Sequence, residues 1–325
     1  MDQPYDPRFA KLRLPLLSAP FIPGRVMVGA IGASVMVVAA LLIHIDLMID
    51  PAVPRFWTLS AWFVGLAVLR WLLRDAVGGG AEKLRDFAEY VLTFMGISLL
   101  GVLASYALAG SSQGFVDAEL YHADRMLHFD WLALYHLVAA SPLLQHLGQA
   151  AYSNIYITPA ILFLSMAWHG EKASARHFLL TYWVAVVMTL LVFPLMPAKG
   201  ALDFLTDGPV PYMPTSGRWQ GLIIPELRAH SILKIDLGAL QGLVCAPSFH
   251  TVSAVLYLAW AWKSPRLRWL LVPVNIAMLM ATPIEGVHYL SDMILGAGVA
   301  LLAIAAVNTW LRRQATLPGK LLATA

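Results

Sequence analysis

Apolar residues run in long, nearly unbroken stretches along most of this chain, separated by short polar clusters. A helix needs roughly 20 apolar residues to cross a bilayer. Eight stretches meet or approach that length, at 26–48, 57–73, 88–110, 151–169, 177–196, 248–263, 268–284 and 287–310. The last two are separated only by a tight Glu285-Gly286 turn. The pattern predicts an all-α fold, a polytopic transmembrane helix bundle of about eight spans. Residues 111–149 mix Phe115, Leu120, Tyr121, Phe129 and Trp131 with Asp117, Glu119, Asp124 and Asp130, which predicts interfacial amphipathic helices. Residues 197–247 are rich in Gly and Pro and read as mostly loop. No internal repeat and no low-complexity tract is visible. The organisation expected is a segment at 1–25, three N-terminal spans within 26–110, a five-span core at 111–310 and a tail at 311–325.

Composition supports lipid as the solvent. Hydrophobic residues make up 59% of the chain and charged residues 13%, against about 25% charged in an average soluble domain. Mean hydropathy is +0.69. The net charge of +3 is too small to argue for nucleic acid. Cys245 is the single cysteine, so an intramolecular disulfide is excluded. The first apolar run begins at Val26, after Arg8, Lys11, Arg13 and Arg25, and is span-length, which reads as a retained signal anchor.

Basic residues set the expected orientation. With the N-terminus cytoplasmic, eight spans put 16 of the 22 Lys and Arg residues on the cytoplasmic side and 6 on the far side. Both termini are then cytoplasmic.

The chemistry is concentrated late in the chain. Cys245-Ala-Pro-Ser-Phe-His250-Thr opens the sixth stretch, and Glu285-Gly-Val-His288-Tyr-Leu-Ser-Asp292 opens the eighth. Both lie at far-side ends, so the two motifs share one membrane depth. Ionisable residues at such depth are functional candidates. His288 and Asp292 are four positions apart, on one face of a helix. A carboxylate holding one imidazole nitrogen leaves the other as a free lone pair, as a nucleophile or base requires. The plainer reading, a His–Asp pair that satisfies itself near an interface, stays open. Pro247 suits a helix's first turn. The free N–H groups there, with the Ser248 hydroxyl, make an anion site; the plainer reading is an N-cap serine beside an interface histidine.

Pro247-Ser-Phe-His250 and His288-Tyr-Leu-Ser-Asp292 resemble the second and third motifs of the type-2 phosphatidic acid phosphatase superfamily. Phe249 and the His288-Tyr289 pair resemble its inositol phosphorylceramide synthase branch. A looser likeness extends to Ala123–Trp131, Tyr152-Ser153 and Pro197–Ala201, so the resemblance covers roughly residues 115–300. It implies a lipid phosphate or phospholipid substrate and a metal-independent mechanism without cofactor. His288 would attack phosphorus to form a phosphohistidine, Asp292 would hold its tautomer, and His250 would protonate the leaving alkoxide and then deprotonate the acceptor. That acceptor would be a lipid or polyol hydroxyl for a phosphotransferase, or water for a phosphatase. Ser248 and nearby amides would hold the phosphoryl oxygens. The superfamily's first motif, a lysine followed by Arg-Pro, has no match, and Thr282 stands where an arginine is expected. The cationic clamp must come from elsewhere, and Lys199 and Arg228 are the preferred pair among the far-side cations, which include Arg218 and Lys234.

Two other classes compete. A transporter predicts charges near the midplane and matched halves with broken helices, whereas the polar set here lies at span ends. A haem carrier with His250 and His288 as axial ligands has no use for Asp292.

Overall fold

The computed structural model describes residues 22–316. Arg8, Lys11, Arg13 and Lys320, which enter the charge count, lie outside them, as does most of the expected N-terminal segment and tail. The regular structure of the described residues is almost all helix: α1 (Gly24–His44), α2 (Pro54–Leu72), α3 (Gly79–Ser111), α4 (Asp117–Met126), α5 (Trp131–Ala139), α6 (Pro142–Tyr152), α7 (Asn154–Trp168), α8 (Lys172–Val192), α9 (Ala201–Leu205), α10 (Trp219–Arg228), α11 (Phe249–Lys263), α12 (Arg268–Glu285) and α13 (Leu290–Thr316). Two short strands, β1 (Met48–Ile49) and β2 (Lys234–Ile235), pair in parallel and tie the end of α1 to the segment leading into α11.

Each of the eight apolar stretches coincides with a helix: α1, α2, α3, α7, α8, α11, α12 or α13. Four segments are long and apolar enough to cross a bilayer alone: Gly24–His44, Gly79–Ser111, Lys172–Leu195 and Leu290–Gln314. The bent pair α6 and α7, at 42°, makes a fifth. With 15 residues, α11 reaches only about 22 Å at 1.5 Å per residue, short of a hydrocarbon core of about 30 Å.

The core is an aromatic stack among α3, α7, α8 and α11. Phe94 meets Phe163 at 5.5 Å and Tyr182 at 4.6 Å, and Phe178 meets Tyr257 and Trp260 at 6.0 and 5.3 Å. A second cluster joins α1, α3 and α10 through Leu42, Leu103, Ala107, Ile224 and Leu227. A third, built on Trp131, Tyr135, Ala201, Leu202 and Tyr289, surrounds the end of the bundle where the two motifs lie. Large apolar side chains also stand outside, among them Trp62, Trp269, Met280 and Leu301, as lipid-facing surfaces require.

The stretch 111–149 forms α4, α5 and most of α6, in agreement with the amphipathic pattern. Local chemistry sets their starts: the Asp130 carboxylate accepts from Ala133 N at 3.0 Å, and the Ser141 hydroxyl from Leu144 N at 3.4 Å. Segment 197–247 is mostly loop, as expected, with α9, α10 and β2 set within it; α10 is the longest of these. Pro225 stands inside that helix, which disguised it; burial of Gln220, Ile224 and Leu227 holds it in place.

Candidate active site

The two motifs meet where α11 and α13 begin. Ser248 N donates to the Asp292 carbonyl at 3.1 Å, which joins the starts of both helices directly. Gly296 permits this approach, because a Cβ there would collide with the Ser248 carbonyl oxygen.

Two local expectations change. Helix α11 begins at Phe249 with Ser248 as N-cap, so Pro247 stands before the cap rather than in the first turn. The Ser248 Oγ accepts from Thr251 N at 3.3 Å and Thr251 Oγ1 at 3.1 Å. Its own O–H remains available as a donor. His288 lies in the extended connection before α13, not on a helical face. The contact with Asp292 arises from helix capping: Tyr289 N donates to Asp292 Oδ2 at 2.9 Å, while His288 Nδ1 lies 3.0 Å from Oδ1. One carboxylate thus satisfies an orphan N–H at the helix start and fixes the imidazole. Asp292 is fully buried and His288 only 3% exposed.

The Cys245 thiol donates to Asp292 Oδ2 at 3.5 Å and lies 3.9 Å from His288 Nδ1. Cys245, His288 and Asp292 are a group whose donor atoms could hold a metal ion. A metal would need the thiolate. Burial pushes the Cys245 thiol well up, and the Asp292 charge adds to the shift.

His250, on the first turn of α11, faces the pair. Its ring centroid is 6.3 Å from that of His288. Its Nδ1 is 3.0 Å from Tyr152 Oη, which in turn is 3.0 Å from Ser216 Oγ. The Tyr152 ring stacks on His250 at 3.9 Å and 15°. Glu285, expected as a turn carboxylate, does more: it accepts from Tyr212 Oη at 2.6 Å, Thr215 N at 3.1 Å and Thr215 Oγ1 at 2.7 Å. Its carbonyl accepts from Ser216 N at 2.8 Å. Residues 212–216 are therefore strapped across the mouth of α12. Burial and the adjoining carboxylate both push the Tyr212 phenol up.

Two carboxylates of α4 brace the site from below. Asp124 accepts from Leu290 N at 2.9 Å and Ser291 N at 2.7 Å, capping α13 from another helix. Asp117 accepts from Lys199 N at 2.9 Å, Gly200 N at 3.0 Å and Tyr289 Oη at 3.0 Å. Burial raises the Asp117 carboxyl above its ordinary range, against the lowering effect of these donors. Gly200, at φ +95°, adopts a backbone shape open to glycine.

The expected clamp residues both lie against Phe115. Lys199 Nζ and the Arg228 guanidinium lie 5.2 and 4.5 Å from the Phe115 ring. Arg228 also donates to Ser112 Oγ at 2.9 Å and the Gly114 carbonyl at 2.8 Å, holding the α3–α4 junction. Arg218 is engaged by Thr206, and Thr282 is buried and donates to the Met278 carbonyl at 2.7 Å. Sequence reasoning passed over Ser216, and it named Tyr152 and Asp124 only within the looser family likeness, without a role at the site. Asp117 entered only as an acid of the interfacial helices.

The PAP2 superfamily matches residues 118–306, from the first turn of α4 to well inside α13. The chain belongs to the PAP2 superfamily. The match takes in every residue of the His250, His288 and Asp292 constellation and supports a phosphatase-type activity on lipid phosphates. Neither a curated protein nor a solved structure matches the chain.

Proposed function

We propose that this PAP2 superfamily member cleaves a phosphate ester of a membrane lipid through a phosphohistidine on His288. The phosphoryl group, with or without its headgroup, then passes to a hydroxyl acceptor, as in inositol phosphorylceramide synthase-type transfer. The observation that carries the reading is the His288–Asp292 contact at 3.0 Å opposite a second imidazole whose ring centre is 6.3 Å away. With Nδ1 of each ring engaged, Nε2 is the nitrogen left on both.

His288 attacks phosphorus in line. The bond to the leaving alkoxide breaks, and His250 supplies its proton. Asp292 stabilises the charged phosphohistidine ring. In the second step His250 takes the proton of the acceptor hydroxyl, whose oxygen displaces His288 from phosphorus. Ser248 O–H donates to the phosphoryl oxygens, and Lys199 supplies charge, its backbone fixed beside Tyr289 by Asp117. Arg228 adds positive field from the same side. Transition-state charge collects on those oxygens, so these groups act where stabilisation counts most. The active site lies on the non-cytoplasmic face. Water in place of the acceptor makes the same site a lipid phosphate phosphatase. Phe249 and Tyr289, which carry the synthase likeness, favour transfer.

Incubating purified protein with a panel of phospholipids and lipid phosphates, with and without ceramide or inositol-bearing acceptors, tests the proposal. Transfer predicts a new headgroup-bearing lipid that appears only with acceptor. Free phosphate regardless of acceptor would replace transfer with hydrolysis, and no product from any lipid would overturn both.

A further inference from the structure

We propose that a groove between α1, α3 and α8 holds an acyl chain of the lipid substrate, with the phosphate turned toward Lys199 and Arg228; the inference rests on the lipid-phosphate reading of the site. The first half of α1 is tied to α8. Arg176 Nη1 donates to the Ile22 carbonyl at 3.1 Å, and Trp183 Nε1 donates to Ser34 Oγ at 2.9 Å. Beyond that bond the helices leave a groove of about 420 Å³. Val37 and Leu41 of α1, Leu100 and Ala104 of α3, and Val187 and Leu191 of α8 line it. Along it α3 and α8 pack closely, because a Cβ on Gly101 would meet Val186 Cγ1 at 3.0 Å. Helices α1 and α3 lie outside the PAP2 match at 118–306. Two of the groove's three sides therefore come from a segment that the catalytic chemistry leaves without a role.

Depth and chemistry select the occupant. The groove follows α3 from Ile97 to Leu108, about 16 Å at 1.5 Å per residue. That is close to half of a hydrocarbon core of about 30 Å, the depth of one leaflet. It ends in mid-span at the Trp183–Ser34 pair, whose polar atoms are satisfied, since Ser34 Oγ also donates to the Ala30 carbonyl at 2.8 Å. An apolar groove at membrane depth offers water no partners and suits a hydrocarbon chain. The other end opens toward the end of the bundle that carries the histidines. Leu108 stands one turn before Ser112, whose hydroxyl accepts from Arg228 at 2.9 Å. Pro194, also at the mouth, leads into the turn that carries Lys199. Both cations lie against Phe115, and neither forms an ion pair among the described residues. A chain seated in the groove thus brings its phosphate to two cations that lack a counter-ion.

The test uses full-length protein in phosphatidylcholine nanodiscs and phosphatidic acid that carries a diazirine at the end of one acyl chain. After photolysis, adducts should concentrate on Val37, Leu100 and Val187 rather than on Trp269 and Met280, which are exposed on α12. Ala33→Trp fills the groove from its exposed rim, whereas Val35→Trp adds the same bulk to an exposed position of α1 that does not line it. Ala33→Trp should lower groove labelling and raise KM for long-chain phosphatidic acid by about tenfold, the equivalent of two methylenes left unburied. Turnover of a short-chain lipid phosphate, whose tails do not fill the groove, should be unchanged, and Val35→Trp should alter neither readout. Even labelling of all lipid-facing helices, or full groove labelling in Ala33→Trp, would overturn the groove. Excess phosphatidic acid should displace the probe better than diacylglycerol does; equal displacement would overturn the contact between phosphate and cations. Labelling needs no turnover, so the two claims fail separately. Groove labelling without turnover of any lipid overturns the site reading, and turnover without groove labelling overturns the groove.

Discussion

His288 and Asp292 carry most of the chemistry proposed, and their effects should be unequal. His288→Ala removes the nucleophile and should lower turnover by about 10³-fold or more, with an unchanged elution profile in detergent. Asp292→Asn keeps the shape but presents an amide to Nδ1, allowing the wrong tautomer. A loss of about 10²- to 10⁴-fold is expected, readable in the same assay; near-parent turnover in either variant would remove the residue from the mechanism. Activity should also survive excess chelator, because the proposed steps use only His288, Asp292, His250 and the donors around them; loss on chelation restored by a divalent ion would refute this. The pair was legible from its spacing, but for a different reason than the spacing gave. The contact comes from a carboxylate capping α13, with His288 outside the helix. Ser216 was not legible, and Tyr152 and Asp124 entered only through the looser family likeness, with no contact foreseen. Their decisive contacts join residues 98, 64 and 166 positions apart, and only the packing of α4, α6 and the 212–216 strap creates them.

Among elements, the approach of α11 to α13 decides whether the histidines face each other. Gly296 sits where the Ser248 carbonyl touches the next helix. Gly296→Ala would push these backbones apart. Overpacking of this kind costs about 1–3 kcal/mol, and it should lower the unfolding temperature and turnover together. A variant as stable and active as the parent would show that the helices need not sit so close. A different junction holds α3 to α8. Lys172 Nζ reaches Glu82 at 2.6 Å and Asp86 at 3.2 Å, and Arg176 reaches Glu89 at 2.9 Å. The bond to Lys172 lowers the Glu82 carboxyl to about 2. A depressed carboxyl stabilises the fold above its unfolded value and loses that contribution as pH falls through its folded value. Melting curves from pH 6 down to pH 3 should therefore fall more steeply for the parent than for Glu82→Gln; parallel curves would refute the linkage. These helices were readable from apolar run length alone. The short α10 was not, because Pro225 interrupts its pattern and only tertiary burial rewards it.

At the scale of the molecule, the fold is a bundle with one chemically dense end. The histidines, the strap and the braces of α4 gather there, while the ion network of α3 and α8 lies at the opposite end of those helices. The charge pattern assigns the dense end to the far side and residues 70–85 to the cytoplasm. Two variants with one added cysteine each test that assignment. The only native cysteine, Cys245, is fully buried, so background labelling should be low. Gly221 is hemmed in by the Asp203 carboxylate, which makes it a poor site for a probe. Ser231 follows α10 in an exposed turn, and Asp75 stands exposed between α2 and α3. Ser231→Cys should react with a membrane-impermeant maleimide in intact cells. Asp75→Cys should react only after permeabilisation. The reverse pattern would turn the protein over in the membrane. The lipid phosphate would then be drawn from the cytoplasmic leaflet, with the site's chemistry unaltered.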